Sequence, residues 1–223
     1  MRREFIKKIL LGVSFMAVSN PFRQLLALTK VTPSFPPSWN ELIEIARWAP
    51  TIHNLQPHQV KIISENEAEV FYNPKRLLPV EDPNSIFTTI ALGVFIEHLS
   101  IAAGSFGYKV TIDHFHNPVS IKSTKPTLFA TIKLVSTTEK EELTKKLVFE
   151  RRTSRLHYNG KKLNKNTIQR IKKEAEKFDH DFFHSSKKEV VDFVVNLNEE
   201  TLFEDLASKP TRDELDRLFR YSK

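Results

Sequence analysis

The chain has 223 residues, is 40% hydrophobic and 27% charged, and carries 34 Lys and Arg against 27 Asp and Glu, a formal charge of +7 at pH 7. That balance is ordinary for a globular protein and excludes collagen-like, low-complexity and fully disordered chains; the basic excess leaves nucleic acid, a phosphate-bearing cofactor or an acidic membrane surface open as partners. The absence of cysteine removes disulfides, thiolate zinc sites, cysteine-ligated iron–sulfur clusters and a cysteine nucleophile, so redox chemistry would need a borrowed cofactor.

Residues 1–30 read as an export signal and linker. Arg2-Arg3-Glu4-Phe5-Ile6-Lys7-Lys8 is a basic head, Ile9 to Val18 a short apolar middle, and Ser19-Asn20-Pro21 a polar end. Ten apolar residues on a helix rise about 15 Å, half of a bilayer's hydrocarbon core, too short for an ordinary spanning helix. The head resembles a twin-arginine signal, which implies a periplasmic or otherwise exported protein whose only membrane contact is this segment. The alternative is a cytoplasmic protein with a basic amphipathic leader. Pro21, Pro33, Pro36 and Pro37 extend the linker character toward the first helix.

Residues 31–148 are expected to form a first lobe. Ser38-Trp39-Asn40-Glu41 is a capping box, and Leu42, Ile45, Ala46 and Ala49 recur at helical spacing until Pro50. Val60–Ile62 and Ala68–Tyr72 alternate like a hairpin. Ile86–Phe106 is a long apolar segment with small residues at Ala91, Gly93, Ala102, Ala103 and Gly104, predicted as a central helix packed on all sides. Lys109–Phe115 and Thr127–Val135 read as strands, and Glu139–Val148 as a short helix. Residues 149–223 restart the pattern as a partial second lobe. It has helices near 166–178, 187–197 and 212–220, a short strand at 181–183, and capping boxes at Ser186-x-x-Glu189 and Thr211-x-x-Glu214. The class is α+β, with no fixed-period repeat.

His114 and His116 share a strand face, and His180 and His184 lie four apart. Neither pair has a convincing third ligand nearby, so no metal is expected. Lys161, Lys162, Lys165, Arg170, Lys172 and Lys173 are interleaved with acids at helical spacing and read as a solvated face rather than a nucleic-acid surface.

Two segments do not read as packing. Arg47-Trp48-Ala49-Pro50-Thr51-Ile52-His53-Asn54-Leu55-Gln56-Pro57-His58 is a helix end running through a Pro-bounded loop of small and amide side chains. Such a loop offers backbone and amide groups to the edge of a planar heterocycle. His53 on it is expected to face solvent. Glu150-Arg151-Arg152-Thr153-Ser154-Arg155 gathers guanidinium groups and hydroxyls, the donors that a phosphate requires.

Together the two segments resemble the nitroreductase family of flavin mononucleotide (FMN) proteins. The family's proline loop matches Ala49, Pro50, Thr51, Asn54, Gln56 and Pro57, and its arginine segment matches Arg151, Thr153 and Arg155. The resemblance implies a nitroreductase-like α+β fold with FMN as cofactor. Pro50, Thr51 and Ile52 would present backbone groups to the flavin ring, with Asn54 and Gln56 beside them, and Arg151, Thr153 and Arg155 would hold its phosphate. It also implies hydride transfer from NADH or NADPH through the flavin to a nitroaromatic or quinone-like acceptor, with no catalytic side chain required from the protein.

The arginine segment follows the loop instead of preceding it, and Arg76-Leu77-Leu78-Pro79-Val80-Glu81-Asp82-Pro83 stands before Ala91-Leu92-Gly93. Both features resemble the fused, pseudo-dimeric Acg-like branch of that family. His58 stands where the family usually has Trp. The second lobe is expected to be truncated, leaving apolar helix faces exposed and allowing two chains to complete each other as a homodimer. Two alternatives accompany the oxidoreductase reading: a non-catalytic flavin-binding or sequestering protein, and an inactive truncated fragment.

Overall fold

The computed structural model describes residues 36–154 and 159–218. The export signal and Arg155 lie outside the described residues. Helix α1 (Trp39–Ala46) starts where Ser38 turns extended and its hydroxyl accepts the Glu41 backbone N–H at 3.3 Å, one half of the expected capping box. The helix buries Trp39, Leu42 and Ala46, and the Trp39 indole N–H donates to the Ser64 carbonyl at 3.1 Å.

Strands β1 (His58–Ile62) and β2 (Glu67–Tyr72) form the expected hairpin, with His58 opposite Tyr72 and Ile62 opposite Ala68. Ala68, Val70 and Tyr72 turn inward at period two, which fixes the buried face of the sheet. Strands β3 (Tyr108–Phe115) and β4 (Thr127–Ser136) complete a four-stranded sheet in the order β1-β2-β4-β3, every pairing antiparallel. Among the described residues, everything after β4 is helix or loop. The class is α+β.

Helix α2 (Ile86–Gly104) lies on the inner face of the sheet beside α1. Its start is built without a side-chain cap from Ser85, which sits in the left-handed region at φ 55°. The buried Asp82 carboxylate instead accepts the Phe87 and Thr88 backbone N–H groups at 3.2 and 3.0 Å and the Thr88 hydroxyl at 2.9 Å. A carboxylate at a helix start satisfies orphan donors and complements the dipole. Leu92, Phe95 and Leu99 of α2 meet Leu42, Val70, Tyr72 and Ile132 in the core.

By length and composition α2 could cross a membrane, but 56% of its most apolar stretch is buried inside the fold, as a core helix requires. It is not packed on all sides, as the sequence suggested: Ile86, Phe87 and Ile90 are 56–58% exposed, and a Cβ on Gly93 would meet open space. A uniformly apolar helix carries no mark of which side the sheet covers.

The remaining helices depart further from expectation. Helix α3 spans only Lys145–Glu150, because upstream side chains bond to nearby backbone N–H groups. Thr137 takes the Glu139 N–H and Glu141 takes the Leu143 N–H, a local alternative to helix. Helix α4 (Lys165–Glu176) is capped by Asn164. Residues 181–183 pair with no strand among the described residues, three residues being too few to nucleate a ladder alone. Helix α5 (Lys188–Ala207) runs ten residues beyond Leu197, since neither Gly nor Pro interrupts it. Ser186 does not cap it; its N-cap is Lys187. Its large apolar residues, among them Phe193, Leu197, Leu202 and Phe203, are exposed. Helix α6 (Lys209–Asp216) follows directly, with Pro210 in its first turn, where a missing N–H does no harm.

A candidate cofactor cleft

The cleft begins where α1 ends. The Ala49 N–H closes the last turn on the Ala46 carbonyl at 2.9 Å, and Pro50 prevents continuation. The chain then makes a short turn at Ile52–Asn54, and three non-glycine residues in and just after it lie in the left-handed region: His53 at φ 46°, Asn54 at 59° and Gln56 at 48°. Each such conformation costs of order 1 kcal/mol and persists only when its surroundings over-determine it.

Those surroundings are visible. The Thr51 hydroxyl accepts the Gln56 N–H at 3.0 Å, and the Gln56 amide donates to the Arg47 carbonyl at 3.1 Å. Arg76 donates to the Leu55 and Gln56 carbonyls at 3.1 and 2.8 Å, and His53 Nε2 lies 2.7 Å from the Glu81 carboxylate. The loop is clamped at both ends. The Asn54 side-chain amide has no hydrogen-bond partner among the described residues.

The arginine segment arrives on α3. Val148 is buried, and Phe149 meets Trp48 edge-to-face with ring centroids 5.8 Å apart. Aromatic pairs of this geometry favour a fixed relative placement, which sets the end of α3 beside the loop. Arg151 follows, its guanidinium 3.4 Å from the Thr153 hydroxyl. Its charge reaches α2: the buried His98 is held below the ordinary histidine range, by burial first and by Arg151 second. Arg152 turns back onto the Phe149 and Arg151 carbonyls, serving the end of its own helix.

One cavity of 590 Å³ is lined by both segments: Pro50, Thr51, Asn54 and Gln56 from the loop, and Arg151 and Thr153 from the stretch after α3. Its size lies in the range of cofactor pockets. Ile52, expected beside them, is not part of the lining, and Arg155 lies outside the described residues. Arg47, Trp48, Ala49, His53, Leu215 and Leu218 also line it. His53 is exposed, as expected from sequence, and its ring pairs with Glu81 at the rim of the cleft. Trp48 had a readable signal, since it falls off the buried stripe of α1 and is 52% exposed. Leu215 and Leu218 had none, because they follow Gln56 by 159 and 162 residues and their approach depends on the fold of everything between.

No family model matches the chain. No curated protein matches it either. Among solved structures, the chain is similar to a nitroreductase family protein from Clostridium difficile 630, with a TM-score of 0.36 and 14% identity, over 54% of this chain and 84% of that one. No residue role is carried over from a likeness of that size.

A larger cavity of 780 Å³ opens between α2, β3 and α4. Two of its cations pair with its own carboxylates, Lys109 with Glu139 and Lys177 with Glu174. Burial and the nearby Glu141 raise the pKa of Glu97 there. No group of three metal-binding side chains occurs among the described residues.

His58, at the family's Trp position, points into the core rather than into the cleft. Its ring stacks on Phe95 with centroids 3.9 Å apart, and its buried Nδ1 has no hydrogen-bond partner among the described residues. Burial first, then the Arg76 charge, lowers its pKa from 6.5 to about 4. Between those values the unfolded chain binds a proton that the folded chain refuses, so stability falls as pH drops through this window and levels off below it. His58→Phe should keep the stack and remove about 2–3 kcal/mol of this acid sensitivity. Urea unfolding of both proteins at pH 7 and pH 4.5 measures it; equal acid losses would refute the assignment.

Proposed function

We propose that the cleft binds FMN and that the protein is a flavin-dependent oxidoreductase of nitroreductase type. The observation that carries this reading is that Asn54, from the strained loop, and Arg151 and Thr153, from the segment about a hundred residues later, line the same cavity. The donor set fits the cofactor. The Asn54 amide and backbone groups at Pro50 and Thr51 suit a heterocycle edge, while a guanidinium, a hydroxyl and the neighbouring Arg47 suit a phosphate. Arg155 belongs to the same proposed set.

A bound flavin supplies hydride chemistry, taking hydride from NADH or NADPH and passing it to a nitroaromatic or quinone-like acceptor. The chain's own part is to bind and orient. Thr51 and Gln56 hold the loop's shape, Asn54 offers hydrogen bonds, and Arg151 supplies charge. No side chain is assigned as proton donor. Partners in this reading are a reduced nicotinamide and a small acceptor, with export through the N-terminal segment and pairing of two chains over the exposed face of α5 as further parts of the proposal.

The second reading, a flavin-sequestering protein without turnover, draws on Leu215 and Leu218, which put an apolar wall on the cleft. An absorbance spectrum of purified full-length protein tests the shared premise: flavin bands are expected, and a colourless protein that takes up no added FMN would overturn both. Stopped-flow mixing with reduced nicotinamide separates the two, since bleaching is expected only of the enzyme.

A further inference from the structure

The last described helix is tied to the cleft by a side chain that the sequence marks for another purpose. Thr211-x-x-Glu214 has the spacing of a capping box, but both residues lie inside α6 and neither caps it. Both are buried, unusual for a Glu on a surface helix. The Glu214 carboxylate reaches across the fold to the turn before α2. One oxygen accepts the Glu81 backbone N–H at 2.8 Å, and both lie 3.2 Å from the Val80 nitrogen.

On its other side α6 is held to α5 by Arg212, which donates to the Leu206 and Ala207 carbonyls at 2.7 and 2.6 Å. The next turn of chain carries Leu215 and Leu218 into the cleft lining. Glu81, whose N–H Glu214 accepts, uses its own carboxylate to hold His53 of the strained loop. A single chain of contacts thus runs from α6 through the 80–81 turn to the loop.

We propose that Glu214 is a positioning residue that latches α6 over the cleft, making this helix the gate through which a ligand enters and leaves. A carboxylate accepting two backbone N–H groups is a strong, directional tether that a neutral side chain reproduces only in part. The latch itself stands on the hydrogen bonds; only the gating of FMN rests on the flavin reading above.

The test uses the full chain without added ligand, then with FMN. By hydrogen–deuterium exchange, the amides of Val80 and Glu81 and those of α6 should exchange roughly tenfold faster or more in Glu214→Ala. Amides of β2 and β4 should be unchanged, which certifies the fold. Glu214→Gln, whose carbonyl still accepts, should fall between. If Glu214→Ala fails to fold, the Gln variant carries the test alone. Unchanged exchange at residues 80 and 81 overturns the latch.

In the second arm, FMN dissociation from Glu214→Ala should be several-fold faster than from the natural chain, and quenching of its fluorescence by iodide correspondingly greater. A faster-exchanging latch with unaltered FMN release overturns the gate. Faster exchange in a protein that binds no FMN at all supports the latch and sinks the flavin reading, so the two failures are distinguishable.

Discussion

Arg151→Ala is expected to lower FMN affinity by about 10–100-fold, the effect of removing a charge-assisted hydrogen bond worth roughly 1.5–3 kcal/mol. Arg151 is placed to act on a ligand because, among the described residues, its guanidinium makes only one long hydrogen bond, to the Thr153 hydroxyl at 3.4 Å. Arg152 is the internal control. Its guanidinium is taken up by the Phe149 and Arg151 carbonyls, so Arg152→Ala should leave FMN affinity within about threefold of the natural value while loosening the end of α3. Arg151→Lys should recover part of the loss, since it restores charge without the fork. Equilibrium titration of the full chain with FMN, followed by flavin fluorescence, reads all three. Equal affinity in Arg151→Ala and the natural chain would remove the phosphate assignment.

Phe95→Ala is expected to destabilise the fold by about 3–5 kcal/mol, the range for deleting a fully buried aromatic ring. Phe95 is fully buried at the centre of α2, stacked on His58 and part of the core between helix and sheet. Small domains have only about 5–15 kcal/mol in total, so this one change should remove roughly a fifth or more of it. The matched change on α5 is the contrast. Phe193 is as large, but 67% exposed, and Phe193→Ala should shift stability by about 0.5 kcal/mol or less. Urea unfolding of the two variants distinguishes a core that ends with the sheet and α2 from one that continues into α5; similar losses in both would establish the latter.

The sequence is most legible where the signal is local and repeats. Ala68, Val70 and Tyr72 alternate because one sheet face is buried, and the hairpin they predict is present. The Ser38 cap and Pro50 bracket α1 because both act on neighbouring backbone. Legibility falls when several local readings compete. Glu139–Thr144 has the composition of a helix, yet the Thr137 and Glu141 side chains divert its N–H groups. Glu214 has the spacing of a cap and serves as a tether instead.

The candidate cleft divides the same way. Pro50, Thr51, Asn54, Gln56, Arg151 and Thr153 could be singled out in advance because amide-rich, Pro-bounded and guanidinium-rich segments are poor packing material. Their meeting in one cavity could not, nor could the division of labour among them. Gln56 and Thr51 hold the loop while the Asn54 amide has no partner among the described residues, a difference set by where the Arg47 carbonyl and the Gln56 N–H come to lie.

By itself, then, the chain's pattern determined the α+β class, the hairpin, the central helix and the two segments unsuited to a core. Each follows from residues a few positions apart, whose periodicity and chemistry act before any distant contact forms. Only the tertiary structure decided which side of α2 the sheet covers, that His53 bonds to Glu81, and that Glu214 reaches an N–H group 133 residues away. The reason is physical: a donor and acceptor that distant in sequence meet only because the packed core has fixed the path of the chain between them, and no local pattern encodes that path.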